Sequence, residues 1–280
     1  MTQDLSLMFD GILLATDKSA DSKNAFYHAL RLALATRAHL RMIHVDPPES
    51  EAVSGFPKVR DTITRWEGLD HHANEADLHH LGLAIRKIRA RGKDPAKEIY
   101  SHIEKHKLDL LVMSPRKRTG LASLTQKSVS AQLVRETIGP CLLIPACHPG
   151  FVGYDGKVNL SHILFPVDHQ PQPDLAFSTA FALGTALGVT QLTGHLLHVN
   201  SDPTMPHQPG QNGWLWEEHF RTGDPVSAIV EQAEASQCQL IVMVTQGAVS
   251  LADRLLGSVT EKLVKVAPCP ILVLHEDTGD

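Results

Sequence analysis

Ile12-Leu13-Leu14-Ala15-Thr16-Asp17 is a short apolar run ending on a carboxylate, and it returns as Ile163-Leu164-Phe165-Pro166-Val167-Asp168. The echo continues in order. His44-Val45 returns as His198-Val199, Asp94-Pro95 as Asp224-Pro225, Val112-Met113 as Val242-Met243, Ser128-Val129 as Ser258-Val259, and Pro140-Cys141 as Pro268-Cys269. A period near half the chain means two copies of one domain, not a solenoid of short repeats. The step from Asp17 to Asp168 is 151 and from His44 to His198 is 154, but from Asp94 to Asp224 it is 130. That shortening is about one helix with its loops, lost from the second copy between its second and third strands.

The 280 residues therefore divide into domains at 1–150 and 151–280, each of the commonest domain size and able to bury its own core. No apolar run approaches the roughly 20 residues of a membrane span, and Met1 to Leu7 has neither the basic start nor the apolar stretch of a secretory signal. A cytoplasmic location is expected. Cys141, Cys147, Cys238 and Cys269 show no paired metal-ligand spacing and read as buried thiols in a reducing compartment. Charge is unequally shared: residues 1–150 hold 21 Lys and Arg against 17 Asp and Glu, whereas 151–280 hold 5 against 14. The two halves attract different partners.

Each copy alternates short β-branched apolar runs with longer amphipathic stretches, the form of a parallel sheet with crossover helices. Strands are predicted at Gly11 to Thr16, Leu40 to Val45, Leu83 to Ala90, Leu110 to Met113 and Leu142 to Pro145. Helices are predicted at Ser19 to Thr36, in the His-rich stretch around Trp66 to Leu81, at Pro95 to His106 and at Ser123 to Thr137. The second copy has strands at Ile163 to Val167, Gln191 to Val199, Trp214 to Phe220, Leu240 to Val244 and Ile271 to Leu274. Only Asn200 to Gly213 separates its second and third strands, and three prolines and two glycines there exclude a helix. A single continuous sheet, or a helix over Asn200 to Gly213, would contradict a trimmed duplication.

Both halves resemble the universal stress protein family in its tandem form. The residues that carry the likeness are the strands ending in Asp17 and Asp168, the His-Val pairs, Gly92-Lys93-Asp94-Pro95, Gly223-Asp224-Pro225 and Ala267-Pro268-Cys269-Pro270-Ile271-Leu272-Val273. The resemblance implies two Rossmann-like, adenine nucleotide alpha hydrolase-like α/β domains, each a five-stranded parallel sheet ordered 3-2-1-4-5, with the second helix absent from the second domain. It also implies that the fifth strands pair across a two-fold axis, making an internal pseudo-dimer. With right-handed crossovers the first two helices cover one face and the last two the other. Loss of the second helix then bares a face near Trp214 to Phe220.

The reversal of strand order between the first and fourth strands frames a crevice of the kind that binds ligands in open α/β sheets. ATP-binding family members use Gly, two residues, Gly, nine residues, then Gly-Ser or Gly-Thr, so that glycines and a helix N-terminus cradle phosphate. The second copy has Val244-Thr245-Gln246-Gly247, nine residues, then Gly257-Ser258-Val259-Thr260. Val244 is the departure, a β-branched residue in place of glycine. By resemblance, Asp168 accepts from adenine or ribose and Val199 lines the base. Gly247, Gly257, Ser258 and Thr260 hold ribose and phosphates, with Pro166, Val167, Met243 and Val259 beside them. The competing reading makes Gly247 a turn residue and Ser258 a helix cap. The first copy keeps Asp17, Val45, Ser114 and Ser128 but loses all three glycines, with Lys117 and Lys127 in the loop, and is read as a degenerate site. Arg116, Lys117 and Arg118 form either a basic surface loop or an anion site.

His71, Glu75 and His79 fall at i, i+4 and i+8 of the helix predicted there; a solvated histidine face is the preferred reading, and no metal is expected. Trp214 and Trp216 share one face of a strand, either filling the gap left by the deleted helix or forming an exposed patch for a partner. No nucleophile, base and orienting group are set together in either copy. The expected function is a cytoplasmic, non-enzymatic stress-response binding module with an adenine nucleotide such as ATP in the second domain, an unidentified protein client and a dimeric assembly. A nucleotide-free scaffold using the basic first domain and the Trp214/Trp216 face is the alternative, and a weak ATPase the third. Neither nucleic acid nor a membrane is an expected partner.

Overall fold

Ile12 and Leu14 enter one hydrophobic core and Leu13 enters another, all three fully buried, as befits a parallel strand covered on both faces. The computed structural model describes residues 9–19, 22–50, 55–67, 82–115, 128–137, 139–146, 148–200, 204–206, 213–245 and 258–276. Its first half runs β1 (Gly11–Ala15), α1 (Ser22–Thr36), β2 (His39–Asp46), α2 (Val59–Glu67), β3 (Ile85–Arg91), α3 (Pro95–His106), β4 (Leu110–Met113), α4 (Val129–Glu136) and β5 (Cys141–Leu143). The second runs β6 (His162–Val167), α5 (Asp174–Ala186), β7 (Thr193–Val199), β8 (Leu215–Arg221), α6 (Pro225–Ala235), β9 (Leu240–Thr245), α7 (Ser258–Val266) and β10 (Ile271–His275).

The ten strands among the described residues form one sheet, ordered β3-β2-β1-β4-β5-β10-β9-β6-β7-β8. The 3-2-1-4-5 order therefore occurs twice, back to back. Pairing is parallel within each half, and β5 meets β10 antiparallel, with Leu142 opposite Leu272. The expectation that a continuous sheet would contradict duplication is thus corrected. Two open sheets fuse when their fifth-strand edges satisfy each other's backbone groups, and the change of strand direction marks the seam.

Helices α1, α2 and α5 cover one face, through residues such as Phe26, Leu30, Ile63 and Phe177. Helices α3, α4, α6 and α7 cover the other, through Ile99, Leu133, Ile229 and Leu263. The repeated Asp-Pro pairs start α3 and α6. Asp94 accepts from the backbone N–H of Ala96 and Lys97, Asp224 accepts from that of Ser227, and a proline fills the first turn of each helix, where its missing N–H leaves no bond unmade.

Helix α2 begins earlier than the His-rich stretch suggested, because Val59, Ile63 and Trp66 already recur at helical spacing after Pro57. Residues 68–81, with His71, Glu75 and His79, lie outside the described residues. Among the described residues no helix stands between β7 and β8, and indole rings occupy that face. Gly194 of β7 lies opposite Trp216 of β8, and the Trp216 ring rests on it between Phe165 and Phe177, at centroid distances of 5.5 and 5.6 Å. Trp214 continues the layer against Phe181 at 5.8 Å. Both tryptophans are half-buried, so the gap-filling reading describes their packing.

The chain crosses between halves on a buried histidine. His28 of α1 donates from Nδ1 to the Asn24 carbonyl at 2.7 Å, and its Nε2 accepts from the N–H of Phe151 and Val152 at 2.9 and 3.1 Å. Gly150 has φ of +73° and lies so close to this ring that a Cβ would overlap it. Further on, the Tyr154 carbonyl accepts from Trp66 and Arg65, whose guanidinium stacks on the Tyr154 ring at 3.6 Å.

Burial pushes the His28 pKa down from 6.5 to about 4. The unfolded chain therefore binds the extra proton between those values, and stability is lost as pH falls from 6.5 towards 4, by up to about 3 kcal/mol from this group. In urea unfolding, the advantage of wild type over a His28→Gln variant is expected to be full at pH 7 and to shrink across that window; a pH-independent difference contradicts the assignment. A Gly194→Val variant is expected to expel the Trp216 ring and lose about 1–3 kcal/mol, read as a lower urea midpoint with altered Trp fluorescence.

Candidate functional site

In each half, the strand order reverses beside the first strand, between β1 and β4 and between β6 and β9, and the carboxyl ends of these strands open a crevice. The repeated histidines hold these ends together. His44 Nδ1 donates to the Thr16 carbonyl at 2.7 Å, and His198 Nδ1 donates to the Val167 carbonyl at 3.1 Å. Each imidazole thus ties the second strand to the backbone leading into the aspartate.

The two crevices differ at that aspartate. Asp17 Oδ1 accepts from the Ser19 N–H at 2.9 Å and the Ser19 hydroxyl at 2.6 Å, a turn that engages one of its two carboxylate oxygens. Beside it lies a charged knot: exposed Arg89 and half-buried Lys18 and His44 surround the buried Asp46 carboxylate. The Arg89 guanidinium, with burial opposing it, holds the Asp46 carboxyl below its ordinary range. In the second half Asp168 is exposed and, among the described residues, accepts only from its neighbour's N–H, that of His169, at 2.8 Å.

The second crevice, of about 310 Å³, gathers Pro166, Val167, Asp168, Val199, Met243, Val244, Val259 and Thr260. Ser258 opens α7; Gly247 and Gly257 lie outside the described residues. Ile229 and Pro225 of α6 also line this wall, and the sequence reading missed them. Pro225 belongs to the Asp-Pro pair and Ile229 stands one helical turn beyond it, so their shared apolar face was the available signal. The first crevice, of about 190 Å³, gathers Asp17, Val45, Ser114 and Ser128. Lys117 and Lys127, with Arg116 and Arg118, lie outside the described residues.

Val244 is a strand residue here. It pairs with Leu274, and Thr245 pairs with His275, whereas in the first half the pairing of β4 with β5 stops at Met113 and Leu143. Val244 joins the core under α5 and Met243 the core on the opposite face. Its extended backbone is the conformation that a β-branched residue favours.

Two crevices at repeated reversals of strand order, on one fused α/β sheet, define a tandem protein of the Rossmann-like class. The profile of the Universal stress protein family matches residues 8–145 and 215–275, and the chain belongs to that family. The second match begins at β8 and leaves β6, α5 and β7 outside it, although β6 and β7 occupy the sheet positions of β1 and β2. A universal stress protein of Mycolicibacterium smegmatis is 24% identical over 301 residues, covering 95% of this chain and 97% of that one. One from Methanocaldococcus jannaschii is 50% identical over 54 residues, 19% of this chain and 32% of the other. The crystal structure of a universal stress protein from Archaeoglobus fulgidus superposes with a TM-score of 0.66 at 18% identity, covering 98% of this chain and 100% of that one. No helix among the described residues is long and apolar enough to cross a membrane.

The thiols stand apart from these crevices. Burial pushes Cys141 and Cys238 up to about 12 and raises Cys269 as well. Peptide mapping after iodoacetamide treatment of the folded chain at pH 8 is expected to find all three unmodified, and to find them modified in urea; rapid labelling in the folded chain contradicts their burial.

Proposed function

We propose that this universal stress protein is a cytoplasmic, non-enzymatic regulatory module of two domains, residues 1–150 and 151–280, whose second crevice takes an adenine nucleotide. The observation that carries this reading is the contrast between the aspartates. Asp168 presents an exposed carboxylate at the mouth of the larger crevice, while Asp17 is half-buried and holds Ser19 through Oδ1. A carboxylate in that position accepts hydrogen bonds from ribose hydroxyls or an adenine amino group, and charge assistance strengthens them. Val199, Ile229 and Met243 offer apolar walls to a base. The start of α7 at Ser258 offers unpaired N–H donors and a positive dipole end to phosphate. Val244 stays in the strand, so the phosphates are assigned to α7 rather than to a glycine turn at that position.

A nucleotide-free scaffold is the second reading, favoured by exposed apolar residues at the outer strand, Leu215 and, against Trp214, Phe181. The two separate in calorimetry with ATP and in mass spectrometry of nucleotide released on denaturation. ATP is expected to bind wild type, to bind Asp168→Ala about tenfold or more weakly, and to bind Asp17→Ala unchanged. The absence of heat at millimolar ATP for wild type and for Val244→Gly alike, with no co-purified nucleotide, removes the nucleotide reading and leaves the scaffold. Steady ATP turnover by wild type contradicts the non-enzymatic assignment.

A further inference from the structure

Toward the other end of the second-half strands, away from the crevice, three imidazoles and a carboxylate converge. Glu217 and His219 stand two apart on β8, so they share a face. His195 of β7 lies directly opposite Glu217 in the parallel register, and His162 of β6 joins from the next strand. His195 Nδ1 is 3.1 Å from His219 Nε2 and 3.4 Å from Glu217 Oε2, and His219 Nε2 is 3.8 Å from that same oxygen. A tetrahedral Zn²⁺ with bonds of about 2.0–2.1 Å separates its ligand atoms by about 3.3 Å. These three atoms therefore span one face of such a tetrahedron.

We infer that His195, Glu217 and His219 form a binding site for a divalent late transition metal of the Zn²⁺ type, with His162 as the positioning residue. Two imidazoles and one carboxylate suit zinc and its neighbours, whereas Mg²⁺ and Ca²⁺ call for oxygen ligands alone. His195 is buried, His219 partly exposed, and the Glu217 side chain 58% exposed. The site is thus walled on one side and open to water on the other, which leaves a fourth position for a water molecule and a route for the ion. With Nδ1 turned to the metal, His195 Nε2–H donates to His162 Nδ1 at 3.0 Å, the second bond by which proteins fix a ligand imidazole's tautomer and orientation. Burial is the main cause that lowers the pKa of His195 and of His219, with Glu217 opposing it in both, so each ring is available as the neutral ligand.

The duplicated scaffold supplies an internal control. At the same register positions the first half has Arg41 opposite Arg86, followed by Ile88, and Gly11 where His162 stands. None of these four ligates a metal, so the cluster belongs to the second half and is not a consequence of the fold. A metal here cross-links β8, the outermost strand, to β7. The signal in the sequence was Glu217-Glu218-His219, a ligand pair at strand spacing; its partner on β7 was not identifiable before the register was known.

The test uses the untagged full chain, calorimetry with Zn²⁺ at pH 7, and the visible absorption of bound Co²⁺. One equivalent of Zn²⁺ is expected, with a tetrahedral-type Co²⁺ spectrum. Glu217→Gln and His219→Ala are each expected to weaken binding about tenfold or more, and His162→Ala to weaken it about 10–100-fold. Glu217 is largely exposed, so Glu217→Gln keeps the test decisive if His219→Ala fails to fold. A His71→Ala/His79→Ala double variant is expected to bind as wild type does. No uptake by wild type, or uptake that survives Glu217→Gln and His219→Ala, overturns the site.

Discussion

The antiparallel contact of β5 with β10 is the constraint on which the rest of the molecule depends. Cys141, Leu142 and Leu143 are buried and lie between β4 on one side and β10 on the other. Separated, each half would present an apolar edge of unpaired N–H and C=O groups, a template for aggregation. Joined, the edges disappear into a single sheet. Because the strands of the two halves run in opposite directions, the carboxyl ends of β1 and β4 point to one end of the sheet and those of β6 and β9 to the other. The two crevices are therefore kept apart, and they can diverge without crowding each other.

That divergence follows local chemistry. At the first crevice, Arg89 and His44 bond the Asp46 carboxylate and Ser19 engages Asp17, which leaves less for a ligand. At the second, the corresponding carboxylate faces solvent, and the strand pairing extends through Val244 and Thr245. The lost helix is handled by packing. Trp216 lies over Gly194, and aromatic neighbours complete a layer that bulky rings provide at low entropic cost. Only glycine on β7 allows the indole to approach so closely. A residue with a side chain at that position would have required some other way to cover the face.

Much of the fold was legible because its signals are local. Strand β1 was readable from its apolar run Ile12-Leu13-Leu14, α3 from Asp94 and Pro95, and the duplication from the order of motifs. The start of α2 was not legible from the His-rich stretch, because the helix is set by the spacing of Val59, Ile63 and Trp66, which precedes it. At the crevice, Asp168, Val199 and Met243 were readable because each lies at or near the carboxyl end of a strand close to the reversal of strand order. Ile229 was not, since its place depends on how α6 packs across the sheet. The link through His28 was equally hidden: an imidazole in an alanine-rich helix carries no mark of the backbone N–H groups, at residues 151 and 152, that it will accept.

The amino-acid sequence by itself determined the repeated α/β unit, its trimming by one helix, the caps that begin α3 and α6, and the pair of aspartates at the strand ends. These follow from hydrophobic periodicity, proline and glycine chemistry, and the spacing of repeated motifs, all of which act over a few residues. Only the tertiary structure decided which aspartate keeps its carboxylate accessible, how the tryptophans cover the bared face, and that His162, His195, Glu217 and His219 meet. Contacts between strands depend on register, and register emerges when whole faces are buried together; no short stretch of chain contains it.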